Sequence, residues 1–295
     1  MSSNKKIGTA DEAYVTSSPW RDMWIRLKRN KLALVGLFLV VALILVALLA
    51  DFIAPYDPVV PDLKASLLSP SLQHLMGTDV LGRDVFSRVI YGSRASLIIG
   101  VVATAISLVI GVTLGAIAGF FGGWVDALIM RITDIFFAFP FLIFAIAVVT
   151  FLGPGFINVF IALGMIGWTS FARLVRGQVL AIKANDYVEA AHAIGAPDKR
   201  IIWKHVLPNT VAPIIVYTTM NIGNAILSEA GLSFLGIGVQ APDPSWGLML
   251  SDARNYIWNA SWNVIWPGIA IFITVLGYNL LGDGLRDALD PRLKQ

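Results

Sequence analysis

The sequence predicts an all-α, polytopic membrane protein with six transmembrane helices, and three observations predict it. Apolar residues make up 57% of the chain, against about 45–50% in soluble domains, and mean hydropathy is +0.74. Apolar stretches of about 20 residues, the length that crosses a bilayer as a helix, follow one another along the chain. The 22 lysines and arginines gather in a few segments at the ends of those stretches.

Residues 32–50, LALVGLFLVVALILVALLA, carry no charge and follow the basic run RLKRNK. A signal peptide would have a shorter apolar core, about 7–15 residues, and a small-residue cleavage site. The stretch therefore reads as a retained first span, bounded at 32–52, after a leader of residues 1–31. The first 18 leader residues are polar and are expected to lack order. An extracytoplasmic segment, 53–94, precedes the second span at about 95–120. Gly111, Gly115 and Gly119 strip one face of that span at four-residue spacing, which lets another helix approach closely; glycines merely tolerated in lipid are the plainer reading. The third span runs from about Asp134 to Leu152, with Pro140 inside it as a kink. Gly153, Pro154 and Gly155 then make a tight turn into a fourth span, about 156–175. The fifth covers about 211–230 and the sixth about 264–282, so that a core of 95–282 is followed by a tail of 283–295.

An even number of spans puts both termini on one side. Of the 22 basic residues only Lys64, Arg83, Arg88, Arg94 and Arg254 fall on the other side. The excess of Lys and Arg places both termini, and the loop between the fourth and fifth spans, in the cytoplasm.

That loop, about 185–209, contains YVEAAHAIGAPDKRIIWKHVLPN at 187–209. Asp186 is placed to cap a helix, and Glu189, three residues on, approximates a capping box. The alanine-rich turn after it favours helix. Gly195 suits a left-handed stop. Pro197 can open a second short helix, for which Ile201, Ile202 and Val206 supply an apolar side and Pro208 a limit. Two short helices around a fixed turn thus stand clear of the membrane. Such a hairpin either rests on lipid headgroups or docks a cytoplasmic partner and passes force to the spans.

Glu-Ala-Ala, a glycine after three intervening residues, and a later Leu-Pro resemble the EAA loop of ABC importer permeases. The matching positions are Glu189, Ala190, Ala191, Gly195, Leu207 and Pro208. The stretches GTDVLGRDVFSRVIYGSRASL (77–97), GFFGGWVDALIMRITDIFFAFP (119–140), LSFLGIGVQAPDPSWGLML (232–250) and GDGLRDALDPRLK (282–294) are similar to the C-type permease subunit of dipeptide, oligopeptide and nickel ABC importers. So are the opening RLKRNKLALVGL and IAPYDP at 53–58, and the likeness extends over about residues 20–294. The resemblance implies a multi-pass protein of a bacterial or archaeal cell (inner) membrane that forms half of a translocation pathway. Its implied partners are a homologous second permease in a heterodimer, two ATP-binding subunits, an extracytoplasmic solute-binding protein and membrane lipid. ATP and Mg would sit on the ATP-binding subunits, with no cofactor in this chain. In that superfamily the loop docks into a cleft on an ATPase, which assigns ATPase coupling to the six matching residues. The implied cargo is di- or oligopeptides, with nickel or glutathione import as alternatives within the family. Substrate-path residues are not implied, and His192 falls at a variable position in the loop.

Several chemistries are excluded. There is no cysteine, so disulfides, thiolate metal sites and cysteine nucleophiles are absent. His74, His192 and His205 are scattered without ligand spacing, and no metal site or nucleic-acid partner is expected. No G-x-x-x-x-G-K-[ST] occurs, so ATP must be hydrolysed elsewhere, and no H-E-x-x-H is present. An ion-coupled secondary transporter is the rival from another class. It would need ionisable groups near the bilayer midplane, whereas Asp134 and Glu229 sit at span ends and the interiors offer Asn221, Asn224 and Asn279. A scaffold or channel component is a further rival, separated from an importer by accumulation against a gradient. Outside the membrane, Trp246, Trp258, Trp262 and Trp266 read as an aromatic belt or as a contact for an external partner. Asp79, Arg83, Asp84, Arg88 and Arg94 read as an outer helix with internal pairs or as a ligand site.

Overall fold

The computed structural model describes residues 19–289; the leader's residues 1–18 and the tail's residues 290–295 lie outside the described residues. All the regular elements among the described residues are helices, with no strand named among them. Helix α1, Pro19–Arg29, leads into α2, Lys31–Leu48, the first span. Asn30 separates the two as an N-cap, its side-chain oxygen accepting from the backbone N–H of Leu32 and Ala33 at 3.1 and 3.2 Å. At the far end of α2, Arg94 donates to the orphan carbonyls of Ala47 (2.6 Å) and Leu48 (3.3 Å) and pairs with Asp51.

Helix α3, Val85–Phe121, begins well before the expected residue 95. The buried carboxylate of Asp84 caps it, accepting from the Ser87 N–H at 2.7 Å and from the Ser87 hydroxyl. The outer charged stretch is therefore a capped loop feeding a helix. Within it, Arg83 pairs with Asp79 at 2.7 Å and with Asp252, 169 positions along the chain, at 3.4 Å. Burial raises the Asp252 carboxyl from its ordinary value, against the pull of Arg88 and Arg83 beside it.

The expected third span is a pair of helices, α4 (Gly123–Ala138) and α5 (Phe141–Leu152), bent by 92°. Pro140 does more than kink a continuous helix. The residue before a proline is pushed out of the α region, and Phe139 sits at φ −89°, ψ 130°. Two residues thus leave the helix and the axis turns. Gly153 and Gly155, both at positive φ, make the turn into α6, Phe156–Lys183. Short α7, Asp186–Ala193, precedes α8, Asp198–Phe234. A short helix α9, Trp246–Ala253, and α10, Trp262–Leu289, complete the described residues.

Five of these helices are long and apolar enough to cross a membrane: α2, α3, α6, α8 and α10. The bent pair adds a sixth crossing if it is one broken span rather than a re-entrant loop. The two arrangements place Lys183 on opposite sides. In a chain that lacks native cysteine, Lys183→Cys is expected to be shielded from a membrane-impermeant thiol reagent in intact cells. Leu72→Cys and Asn259→Cys, both exposed, are expected to label. Labelling of position 183 from outside would contradict the parallel packing of α3 and α6, whose ends meet where Lys183 bonds to the Phe120 carbonyl, and with it the six-span arrangement.

Small residues set the helix packing. A Cβ on Gly111 would collide with Phe171 Cβ and lie 2.6 Å from the Trp168 carbonyl. One on Gly115 would lie 2.5 Å from the Ala172 carbonyl, and one on Gly119 2.9 Å from Val179 Cβ. All three positions face α6, and α3 and α6 form the most extensive helix pair. A second close seam lies between α2 and α10. It uses Gly36 against the Leu281 N–H, Gly277 against Leu39 Cβ, and Gly284 against Ala33. Between α8 and α3, Asn221 donates to the Thr104 hydroxyl at 3.3 Å, so this asparagine joins helices.

The expected aromatic belt is largely a core. Trp246 is 1% exposed and donates its indole N–H to the Val89 carbonyl at 2.9 Å. Trp262 donates to the Thr78 carbonyl, and Trp262 and Trp266 pack on the same cluster. Trp258 is exposed. An indole packed in a core needs a partner for its N–H, and here the first turns of α3 and the loop before it supply one, through the Val89 and Thr78 carbonyls.

Candidate functional site

The hairpin predicted at about 185–209 is formed by α7, a four-residue turn and the start of α8. Its first helix is capped one residue earlier than expected. Asn185, not Asp186, is the N-cap residue, and its amide turns back to donate to the Ile182 carbonyl at 2.9 Å. No side chain caps α7, so the expected capping box does not form. Glu189 receives its helical bond through its backbone, to the Asn185 carbonyl at 3.3 Å. Its side chain is exposed.

The stop at Gly195 has the geometry that its residue type suggests. Gly195 has φ +77°. Its N–H donates to the His192 carbonyl at 2.9 Å, and the Ala196 N–H donates to the Ala191 carbonyl at 3.1 Å. These are the two bonds of a Schellman motif, which satisfies carbonyls that the helix end would otherwise leave bare. A Cβ built on Gly195 meets nothing within 4 Å. The demand for glycine there is one of backbone conformation alone.

The second helix opens at Asp198 behind Pro197 as expected, but Pro208 does not end it. Residues Ile202–Val206 form a π turn, in which the Leu207 N–H bonds to the Ile202 carbonyl, and the helix continues through Leu207 and Pro208 into the span. In a regular α-helix the ring of Pro208 would press on the carbonyl four residues before it. A wider turn at that point removes the clash. The hairpin's second arm and the fifth span are therefore one helix of 37 residues.

The base of the hairpin is buried. Val188, Ala191, Ile201 and Val206 pack with Ala116 and Phe120 of α3 and with Val175, Val179 and Ile182 of α6. Lys183 donates to the Phe120 carbonyl at 2.6 Å, closing the end of α3, and His192 stacks on the Phe120 ring. Gly119 lies beside Val179 in the same region, so the glycine seam of α3 runs into the hairpin's foundation.

The tip and the outward side of the second arm are the reverse. Ile194 is 84% exposed and Trp203 71%. An open groove of about 520 Å³ is lined by Tyr187, Ala190, Ile194, Gly195, Arg200 and Lys204. Of the six residues singled out in the loop, Glu189, Ala190 and Gly195 lie at this outer surface, while Ala191 is buried at the base. Leu207 packs against the base, and Pro208 is exposed beside it. Among the described residues no group of three or more His, Asp or Glu side chains is arranged to hold a metal ion.

Comparison with known proteins places this architecture. Residues 111–295 match the family described as the binding-protein-dependent transport system inner membrane component. Residues 18–70 match the N-terminal TM domain of oligopeptide transport permease C. The chain is 47% identical to the dipeptide transport system permease protein of Alkalihalophilus pseudofirmus, over 96% of this chain and 93% of that protein. It is 50% identical to the glutathione transport system permease protein of Escherichia coli O6:K15:H31, over 94% and 92% of the respective lengths. In fold it is similar to a solved chain of the MetNI methionine ABC transporter in inward-facing conformations. That likeness has a TM-score of 0.59 at 20% identity and covers 69% of this chain and 96% of the other.

Proposed function

The chain belongs to the family of binding-protein-dependent transport system inner membrane components, as a permease subunit of an ABC importer, and from that premise we propose that its 185–209 hairpin couples the spans to ATPase subunits. The observation that carries this reading is the contrast within the hairpin. Its base is packed into the ends of α3 and α6, while Ile194 at the tip and Trp203 on the second arm face the outside. Exposed apolar groups of this size on a rigid projection suit a protein partner. Glu189, Ala190 and Gly195 form or shape the docking face, Ala191 seats it, and Leu207 and Pro208 lie where the arm passes into the fifth span.

In this reading the chain is a non-catalytic permease, with ATP and Mg on two partner ATPase subunits. A homologous second permease completes the pathway, and an extracytoplasmic binding protein delivers the solute. Closure of the ATPases moves the hairpin tip, the continuous arm carries the displacement into α8, and the central cavity opens to one side and then the other. ATP and the loaded binding protein can shift that equilibrium only by binding the two states with different affinity. The spans number six, the bent pair counting as one, with both termini cytoplasmic. Gly111, Gly115 and Gly119 keep α3 and α6 together as the unit on which the hairpin stands.

The cargo we propose is a short peptide, of dipeptide to oligopeptide size. Support comes from relatives named for dipeptide and for glutathione transport, glutathione being itself a tripeptide. The test is uptake by the reconstituted importer, screened with di- to oligopeptides, glutathione and nickel. Accumulation of a peptide against its gradient, dependent on ATP, is the expected result. Accumulation of nickel alone would refute the peptide assignment. Uptake that follows an ion gradient without ATP would refute the mechanism. The purified chain by itself is expected to hydrolyse no ATP, since it has no phosphate-cradling loop.

A further inference from the structure

Helix α1 is strongly amphipathic and ends in a basic turn, Arg26, Lys28 and Arg29. One side of it faces the protein: Leu27, 3% exposed, packs with Ala33 and Ala288, and Met23 and Leu285 lie against that cluster. This contact fixes the depth of α1. It sits where Lys31 opens α2 and where Asp283, Arg286 and Asp287 bring charge back to α10, with Asn30 donating to Asp287 across the gap. Between Lys31 and Asp51 the first span carries no charge. The helix therefore lies at the border between apolar slab and headgroups.

Its outward side pairs an aromatic anchor with cations. Trp24 is 45% exposed, and the Lys28 ammonium lies 5.2 Å from the centre of its ring. Arg21 is one helical turn from Trp24 and two from Lys28, so the three line one side, and Arg29 and Lys31 are exposed close by. An indole beside lysine and arginine is what an interfacial helix presents to a charged leaflet: the ring enters the headgroup layer and the long cations reach the phosphates. An acidic protein surface would satisfy the cations but would give Trp24 no apolar layer to enter.

We propose that α1 binds anionic phospholipid headgroups through Arg21, Lys28 and Arg29, with Trp24 as its interfacial anchor. The assignment is independent of the coupling role given to the hairpin. It makes the elbow before the first span an attachment to the leaflet, held on one side by the packing of Leu27 against Ala288 and Leu285 of α10.

The test uses the assembled importer in nanodiscs, with an environment-sensitive fluorophore on Ile25→Cys in the cysteine-free chain. At equal mole fraction, brominated phosphatidylglycerol is expected to quench this probe more than brominated phosphatidylcholine does. The local enrichment should fall about fivefold for each cation neutralised. It should vanish in the Arg21→Gln, Lys28→Gln, Arg29→Gln triple variant and in high salt, with co-purification of all subunits showing that the variant assembles. Equal quenching by the two lipids, or a preference that survives in the triple variant, would overturn the proposal. Quenching by neither lipid would place a protein partner over the helix and would overturn it too.

Discussion

Gly195→Val is expected to leave the importer assembled and its ATPase subunits active, while transport falls by about tenfold or more. The backbone at Gly195 has φ +77°, a region that β-branched residues are strongly disfavoured from entering. Forcing valine there costs on the order of 1–3 kcal/mol. The space around the position is open, so the variant cannot be blamed on a collision. The chain relieves the strain by giving up the Schellman bonds of Gly195 and Ala196, and the tip moves relative to its base. That cost is too small to dislodge spans of about 20 apolar residues. Gly195→Asn is the matched control, because asparagine tolerates the left-handed conformation; it should transport near the wild-type rate. Glu189→Ala should leave α7 intact, since its carboxylate caps nothing, and any loss it causes reports a lost contact with a partner. Transport and ATPase rates compared in complexes with full subunit content decide the matter. A Gly195→Val complex that transports at the wild-type rate would remove the hairpin from the coupling path.

Gly111→Leu is expected to have the largest effect on stability. Leucine at this position meets Phe171 Cβ, and behind it the Trp168 carbonyl and the Ala172 N–H. Two of those three obstacles are backbone, so no rotamer change clears them. Overpacking of this kind costs about 3 kcal/mol when a core cannot yield. The variant should melt earlier in detergent than the wild type, or fail to co-purify with its partners. Gly268→Leu, on α10, where a Cβ meets nothing within 4 Å, is the control for adding leucine to a helix. Equal melting of the two variants would mean that α3 and α6 do not depend on the stripe.

Much of this architecture is legible in the order of residues, and the exceptions share a cause. The spans can be read because apolar length is a local property, and the turn at Gly195 because a left-handed stop is set within six residues. Local punctuation misled where two signals competed. Asn185 and Asp186 both suit a cap, and the carbonyl of Ile182, already in place from α6, turned the Asn185 amide away from α7. Pro208 looked like a limit because a π turn, which accommodates it, has no sequence signature as plain as proline itself. Pro140 announced a bend, but its angle depends on how α4 and α5 pack. What stayed hidden was non-local. Trp246 read as a surface aromatic because the carbonyl that receives its N–H lies 157 positions away. Gly277 and Gly284 became packing residues only when α2, with Gly36, was laid against them. A stripe at four-residue spacing, as in α3, can be seen in one helix; a seam shared by two distant helices cannot.

The hairpin tip is expected to meet an ATPase subunit rather than lipid. A photoreactive benzoylphenylalanine in place of Ile194, irradiated in the fully assembled importer in its membrane, tests this most directly. The expected result is a covalent product between this chain and the ATP-binding subunit, with a yield that changes when ATP is added. Products with lipid or with the second permease, and none with the ATP-binding subunit, would contradict it.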